Sequence, residues 1–541
     1  MRNDSRGDQK VARRGQTLLA LCVFVLMLLG VRTAAADVKL PALIGDNMVL
    51  QQGRQAAIWG TADAGEQVTV SLGEQKQSAT ADANGQWKVQ LGPLTKGGPF
   101  EMTIAAKNTV TIHNVLVGEV WVCSGQSNME MPVGLNSQGW SAGVLNFEEE
   151  IARANYPMLR LFMVKKVVAG KPQTDVQGQW VAASPATVGN FSAAGYFFGR
   201  DLFKAINSPV GMIESSWGGT EAEAWTDDAT LEADPELKVV ADSWRQRIAE
   251  FPHVLEQYQQ KLGDWEKLAE QAEANGQLAV PMPDAPKDPR SHPWRDSGLW
   301  NAMMAPLTPY AIEGAIWYQG ESNAEFAYQY RKVFSTMIQQ WRNSWGEGDF
   351  PFLFVQLANF VPGGQSADSW AVLRESQEKT LALPKTGMAV AVDIGESHNI
   401  HPRNKQEVGR RLALAAEGIA YGRKVEYMGP SFRSFHADGG TLRVRFTHVD
   451  GGLVVRGPHL VGFEIAGQDQ QFFPAEAKVE GTEVLLTSSR VSNPVAARYA
   501  WANDPKCNLY NSVGLPAPPF RTDDWTVSTQ GQVRTEALKL W

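Results

Sequence analysis

The stretch Val122-Cys123-Ser124-Gly125-Gln126-Ser127-Asn128-Met129-Glu130-Met131-Pro132 decides how this chain is read. Ser127 stands just past the apolar run Val115 to Val122 and is wrapped by Gly125, Gln126 and Asn128. That pattern puts a hydroxyl on a strand-to-helix turn, at the carboxyl end of a strand, where open α/β sheets bind their ligands. A serine hydroxyl is a poor nucleophile until a positioned base takes its proton, so a histidine is needed elsewhere. The best candidate segment is Asp393-Ile394-Gly395-Glu396-Ser397-His398-Asn399-Ile400-His401-Pro402, which also follows an apolar run, Gly387 to Val392. Two strand-end loops this far apart can converge on one pocket of a parallel sheet, and together they point to a hydrolase. The plainer alternatives are a turn serine that caps the next helix and a surface-loop histidine.

Outward from these segments, the apolar runs Val115 to Val122, Pro209 to Ser215, Ala311 to Trp317, Phe352 to Leu357 and Met388 to Val392 carry few charges. Strands covered on both faces read this way, so residues 116–424 are expected to form an α/β domain with a parallel sheet. Ahead of it, residues 37–115 hold short alternating runs broken by Ala64-Gly65, Asn84-Gly85 and Gly97-Gly98-Pro99, the pattern of a small antiparallel sandwich. An insertion over about 227–292 is charged, has apolar residues at helical spacing, and ends in Pro281, Pro283, Pro286 and Pro289. It is expected to be a helical hairpin with an extended return. Strand patterns resume over 425–541 as a second β-rich domain.

A chain of 541 residues has room for two to four domains. A net charge of −8 argues against nucleic acid as a partner, because phosphate binding needs a basic surface. Arg2, Arg6, Lys10, Arg13 and Arg14, then an apolar stretch from Leu18 to Val31, then Ala34-Ala35-Ala36 read as a cleaved signal peptide over 1–36. No second long apolar segment follows, so no membrane span is expected, and the mature protein is expected in a periplasm or secreted. Cys22 leaves with the signal; Cys123 and Cys507 allow a disulfide, although a buried thiol suits Cys123 better. No metal-ligand spacing occurs among cysteines and histidines, and no cofactor is expected. The 18 tryptophans against 11 tyrosines suit large cores, with some indoles free to stack on sugar rings.

The Ser-Gly-Gln-Ser-Asn-Met-Glu wording resembles the first block of the SGNH-type esterases, closest to the sialate O-acetylesterase branch and its acetylxylan esterase relatives. Further blocks carry the likeness along nearly the whole mature chain: Asn47-Met48-Val49-Leu50-Gln51, Ile58-Trp59-Gly60, Ser215-Ser216-Trp217-Gly218-Gly219-Thr220, Trp317-Tyr318-Gln319-Gly320-Glu321-Ser322-Asn323-Ala324, Ile400-His401-Pro402 and Asn508-Leu509-Tyr510-Asn511. The resemblance implies an SGNH-hydrolase sheet with helices on both faces, and a serine esterase that removes O-acetyl groups from acetylated oligo- or polysaccharides through an acyl-enzyme. It assigns Ser127 as nucleophile and His401 as base; His398 lies outside the matching block. It implies an oxyanion hole of the Ser127 and Gly219 backbone N–H groups and the Asn323 amide. Asn323 departs from the simplest Gly-x-Asn form by one residue, so Gln319 and Glu321 are candidates to share or replace its role.

Where many SGNH enzymes have an aspartate three residues before the histidine, this chain has His398. Asp393 is the nearest well-placed carboxylate to orient His401, Glu396 the next, and a bare Ser–His pair held by Asn399 or a carbonyl is the third option. Gln126, Trp217, Gln319, Glu321 and Arg374 are the expected substrate contacts, with Trp225, Trp317 and Tyr318 as further stacking candidates. Arg374 reads either as a partner for a sialic or glucuronic carboxylate or as a structural ion-pair residue. A non-catalytic carbohydrate-binding protein is the alternative function; a lipid esterase ranks lower, because no long apolar lid flanks the site.

Overall fold

The computed structural model describes residues 37–278 and 280–534, so the expected signal peptide lies outside the described residues. Six short strands, β1 (Val49–Gln51), β2 (Ala56–Thr61), β3 (Gln67–Leu72), β4 (Gln75–Thr80), β5 (Gln86–Leu91) and β6 (Gly97–Ala105), lead into β7 (Thr109–Gly125). β7 is 17 residues long and does two jobs. Its first half pairs with β6 and β1, and its second half, Glu119 to Gly125, is the central strand of the α/β sheet. The change of character expected at residue 115/116 therefore falls inside one strand. The buried cores on either side of it are continuous, from Val68 and Ile104 to Trp121 and Phe354.

The strands that follow are β8 (Tyr156–Met163), β9 (Trp180–Ala183), β10 (Val210–Ser216), β11 (Gly314–Tyr318), β12 (Phe352–Gln356) and β13 (Thr386–Val390). Their order across the sheet is β13-β12-β11-β7-β10-β8-β9, parallel throughout except for β9. The chain builds to one side of β7 as far as β10 and then crosses to build β11 to β13 on the other. β7 is thus the switch point, and the crevice beyond its carboxyl end is where such sheets bind ligands. The α/β reading of the sequence holds.

Helices Ala193–Ile206 and Lys405–Ile419 pack together against β10 and β13, while Ala327–Trp345 and Ser369–Lys379 form a second pair. The first pair is close because residue 409 is glycine: a Cβ there would stand 2.4 Å from Cβ of Phe197. The expected helical hairpin is instead one 40-residue helix, Pro235–Ala274, with Pro252 inside it. A hairpin needs a turn, and Gly263 by itself does not supply one. Only the first half of this helix buries apolar side chains in numbers, with Leu237, Val240, Ala241 and Trp244 against the body of the protein.

The C-terminal segment from Ser431 to Arg521 forms two four-stranded sheets and one two-stranded sheet around its own core of Leu442, Val444, Phe463, Ile465, Val484 and Tyr499. Cys123 and Cys507 are both free thiols. No helix among the described residues is long and apolar enough to cross a membrane.

Candidate active site

The carboxyl ends of three adjacent strands carry three of the predicted segments to one place. Gly125 at the end of β7 is in register with Ser216 of β10 on one side and Tyr318 of β11 on the other. The loops that continue from these residues hold Ser127, Gly218-Gly219 and Gln319–Asn323. Gly125 has φ +137°, and a Cβ on it would lie 2.2 Å from the carbonyl oxygen of Tyr318. No other residue lets the strand turn there while β11 is so close. Ser127 opens a single helical turn, Ser127–Glu130, and is half-buried.

Asn128, next to the nucleophile candidate, ties the fourth segment in. Its Nδ2 donates to the Ile400 carbonyl (2.9 Å) and to Oε1 of Glu321 (2.6 Å), and its Oδ1 accepts from Nζ of Lys405 (2.7 Å). Lys405 also donates to the Pro402 carbonyl (2.7 Å). One buried amide thus fastens the histidine loop, the β11 loop and the helix Lys405–Ile419 to the residue beside Ser127. Burial outweighs the attraction of Glu321 and Glu396 and lowers the Lys405 ammonium to about 7; burial likewise raises the Glu321 carboxyl.

His401 reaches this place on the loop that Ile400 anchors. Its ring meets Trp140 edge-on at 4.9 Å, and its backbone N–H donates to Oδ1 of Asn399 (3.0 Å). Burial, then the nearby Lys405 charge, push its imidazole down to about 4. Among the described residues, the His401 ring hydrogen-bonds neither to Ser127 nor to any carboxylate.

Asp393 is not brought to the histidine. Arg411 grips it with two bonds (2.6 and 2.8 Å) and the Tyr510 hydroxyl donates to it at 3.1 Å. Arg411 rises from the helix behind β13 and captures the carboxylate at the strand end, which corrects the expectation for Asp393. Glu396 is also turned into its own loop, accepting from the Arg403 N–H (2.8 Å) and from Nδ2 of Asn399 (3.1 Å). His398 is exposed.

Among the oxyanion candidates, the Ser127 and Gly219 N–H groups have no acceptor among the described residues, whereas the Gly218 N–H is taken by Glu130 (2.6 Å). Glu130 also pairs with Lys166 at 2.5 Å, and the Lys166 ammonium lies 5.6 Å from the Trp217 ring centre. Gly219 has φ +75°, and Trp294 comes close to it. Asn323 is buried and fixed: its Oδ1 accepts from the Ala222 N–H (3.1 Å) and from Gln319 (2.7 Å), and its Nδ2 donates to Glu223 (2.9 Å). An amide nitrogen carries two hydrogens, and the second has no acceptor among the described residues.

The expected substrate contacts mostly turn out to be scaffold. Gln126 is buried and accepts from the Gly320 and Ser322 N–H groups (3.3 and 3.2 Å). Gln319 donates to the Thr220 carbonyl (3.2 Å) and to Asn323, and Glu321 serves Asn128. Trp225 and Trp317 are fully buried and pack edge-on at 6.1 Å, and Tyr318 is buried as well. Arg374 has no exposure, and its guanidinium donates to the carbonyls of Leu357, Ala358, Ala502 and Asn503 at 2.7–2.8 Å. It is neither a substrate contact nor an ion-pair residue, because it is fully buried and four carbonyl oxygens accept from its fork. Trp217 alone of the set is half-exposed. Sequence reading missed Glu130, Trp140, Lys166, Trp294 and Lys405 as parts of the site. The first lies inside the Ser127 motif and Lys405 in the histidine block, while nothing local marks the other three.

Comparison with known proteins accords with this geometry. Residues 293–417 match the family described as carbohydrate esterase, sialic acid-specific acetylesterase. Sialate O-acetylesterases of Mus musculus and Homo sapiens are 31% and 30% identical, over 90% and 92% of this chain and 95% of each relative. The crystal structure of a carbohydrate acetylesterase from Xanthomonas citri has a TM-score of 0.75 and 38% identity, covering 90% of this chain and 100% of that one. The chain belongs to the sialate O-acetylesterase family of carbohydrate esterases and is a carboxylic ester hydrolase acting on O-acetylated sugars.

Proposed function

We propose that Ser127 is the acetyl acceptor, that His401 alone acts as its base, and that the substrate is an acetylated, uncharged hemicellulose-type glycan. The observation that carries the site assignment is the Asn128 bond to the Ile400 carbonyl at 2.9 Å, which seats the histidine loop beside the serine. In free enzymes such catalytic contacts are often open and tighten when substrate binds. Ser127 Oγ attacks the acetyl carbonyl while the imidazole takes its proton. The oxyanion is met by the Ser127 and Gly219 N–H groups and the spare N–H of Asn323. Collapse expels the sugar hydroxyl, which takes the proton back, and leaves acetyl-Ser127. Water, deprotonated by the same imidazole, then attacks the acyl group and releases acetate. Trp140 holds the ring in place by edge-on packing.

Arg374, the cation expected to single out a sialic or glucuronic carboxylate, is closed off inside the protein, and the Lys166 ammonium at the crevice is already paired with Glu130, which supports a neutral sugar. Acetylated xylan and xyloglucan should release acetate when incubated with the purified enzyme, followed by an enzyme-coupled acetate assay. Release from 9-O-acetyl sialosides alone would overturn the substrate assignment and leave the esterase reading standing.

The pH dependence follows from His401. A base must be neutral to accept a proton, and an imidazole titrating at about 4 is neutral above that pH. The acid limb of kcat/KM should therefore fall near pH 4, well below the ordinary histidine value of about 6.5. Lys405→Met removes the second of the two causes, so the limb should move to higher pH while burial keeps it below 6.5. An unchanged limb in that variant would separate Lys405 from the histidine.

A further inference from the structure

A second cleft, of about 630 Å³, opens between the N-terminal strands and the α/β domain. Its size falls within the range of about 300–1,000 Å³ that small-ligand sites occupy. One wall is the outer face of the β2–β5 ribbon. In this antiparallel pair Trp59 lies opposite Lys88 and Thr61 opposite Gln86, so all four share one face, while Ile58 and Val89 point into the core. The other wall is the segment Gln173–Asp175 together with Ala305, Pro306 and Pro309.

Three features of this cleft suit a sugar chain. Trp59 is a half-buried aromatic wall, met nearly edge-on by Tyr310 at 6.3 Å and 70°, which fixes the tilt of the indole. A fixed apolar ring with polar neighbours accepts the apolar face of a pyranose and leaves its hydroxyls to the rim. Those hydroxyls would meet uncommitted groups. Asp82 and Asp175 each use one carboxylate oxygen on backbone N–H groups and keep the other free, and Gln86 and Lys88 have no side-chain partner among the described residues. Trp87, on the core side of the ribbon opposite Gly60, is 3% exposed and backs this wall from beneath. The formal charges balance, with Lys39 and Lys88 against Asp82 and Asp175, so the site favours an uncharged ligand.

The cleft is also connected to the chemistry. Lys166, paired with Glu130 at the catalytic crevice, and Asp175, on the cleft wall, belong to one segment and are nine residues apart. An extended chain covers at most about 30 Å over that interval, so the two places lie within that distance of each other.

We infer that this cleft is an accessory site that grips a neutral, unacetylated stretch of the polysaccharide whose acetyl groups are removed at Ser127. Deacetylated xyloglucan and deacetylated xylan, titrated calorimetrically into the full-length protein, should bind with one site per chain. Trp59→Ala should weaken that binding at least tenfold. It should raise KM for the acetylated polymer severalfold, and leave kcat and the turnover of 4-nitrophenyl acetate unchanged. Gln86→Ala and Lys88→Ala, on the exposed face, test the same wall without the risk to folding that a tryptophan deletion carries. Absence of binding by the wild type, or equal binding by the folded variants, overturns the proposal. Because the probes carry no acetyl group, that outcome is independent of whether Ser127 is the nucleophile.

Discussion

Ser127→Ala should lower the turnover of 4-nitrophenyl acetate and of acetylated glycan by about 10⁴- to 10⁶-fold, the loss seen when a hydrolase loses its serine nucleophile. The protein should fold as before. Ser127 is half-buried, and its hydroxyl makes no hydrogen bond among the described residues, so its removal leaves no buried partner unsatisfied. Its neighbours, by contrast, are deeply committed: Gln126 accepts from two backbone N–H groups and Asn128 holds three partners. A melting curve superimposable on the wild type, with activity lost, is the expected pair of results. Turnover within tenfold of the wild type would remove Ser127 from the chemistry. His401→Ala should lose a comparable factor, and the double variant little more, because residues that act as a unit are not additive.

Arg374→Met should have the largest effect on stability, about 3–5 kcal/mol, because it takes the donor from several buried carbonyl oxygens at about 1–3 kcal/mol for each one left unsatisfied. Four carbonyl oxygens accept from this guanidinium, and among them only that of Asn503 has a backbone N–H, that of Phe360, as well. Leu357 and Ala358 follow β12, whereas Ala502 and Asn503 belong to the C-terminal segment, so the side chain stitches the two together. Burial lowers its pKa to about 10, which still leaves it charged at neutral pH. Urea or thermal unfolding reads the loss directly. Arg374→Lys should recover only part of it, since an ammonium lacks the planar fork that reaches both pairs of carbonyls. In the fraction that stays folded, KM should not change. A selective rise in KM without loss of stability would return Arg374 to the substrate.

The parallel sheet and the position of Ser127 were legible because strand-end glycines and apolar runs are local signals. Gly125 both permits the turn and marks it. The roles of polar residues were much less legible, because they depend on which partner the fold delivers. Asp393 looks available at its strand end until Arg411, 18 positions later, closes on it. Arg374 looks like a cation for a ligand until two segments bury it. Gln126 and Gln319 sit in the most telling motifs, yet their amides brace loops instead of facing the crevice. Lys405 lies in the histidine block, but its role rests on a burial made only in three dimensions, and nothing local in the sequence marks Trp140.

The uninterrupted run of β7 bears on how such a protein can be rearranged. An accessory module joined by a tether can be lost, swapped or duplicated without disturbing the enzyme next to it. Here the leading residues share a backbone ladder with the strand that delivers the reactive hydroxyl, and excising 37–108 would bare Ile112, Val115 and Val117 to water. Genetic shuffling at this seam would therefore break both halves, and the two are bound to be inherited together.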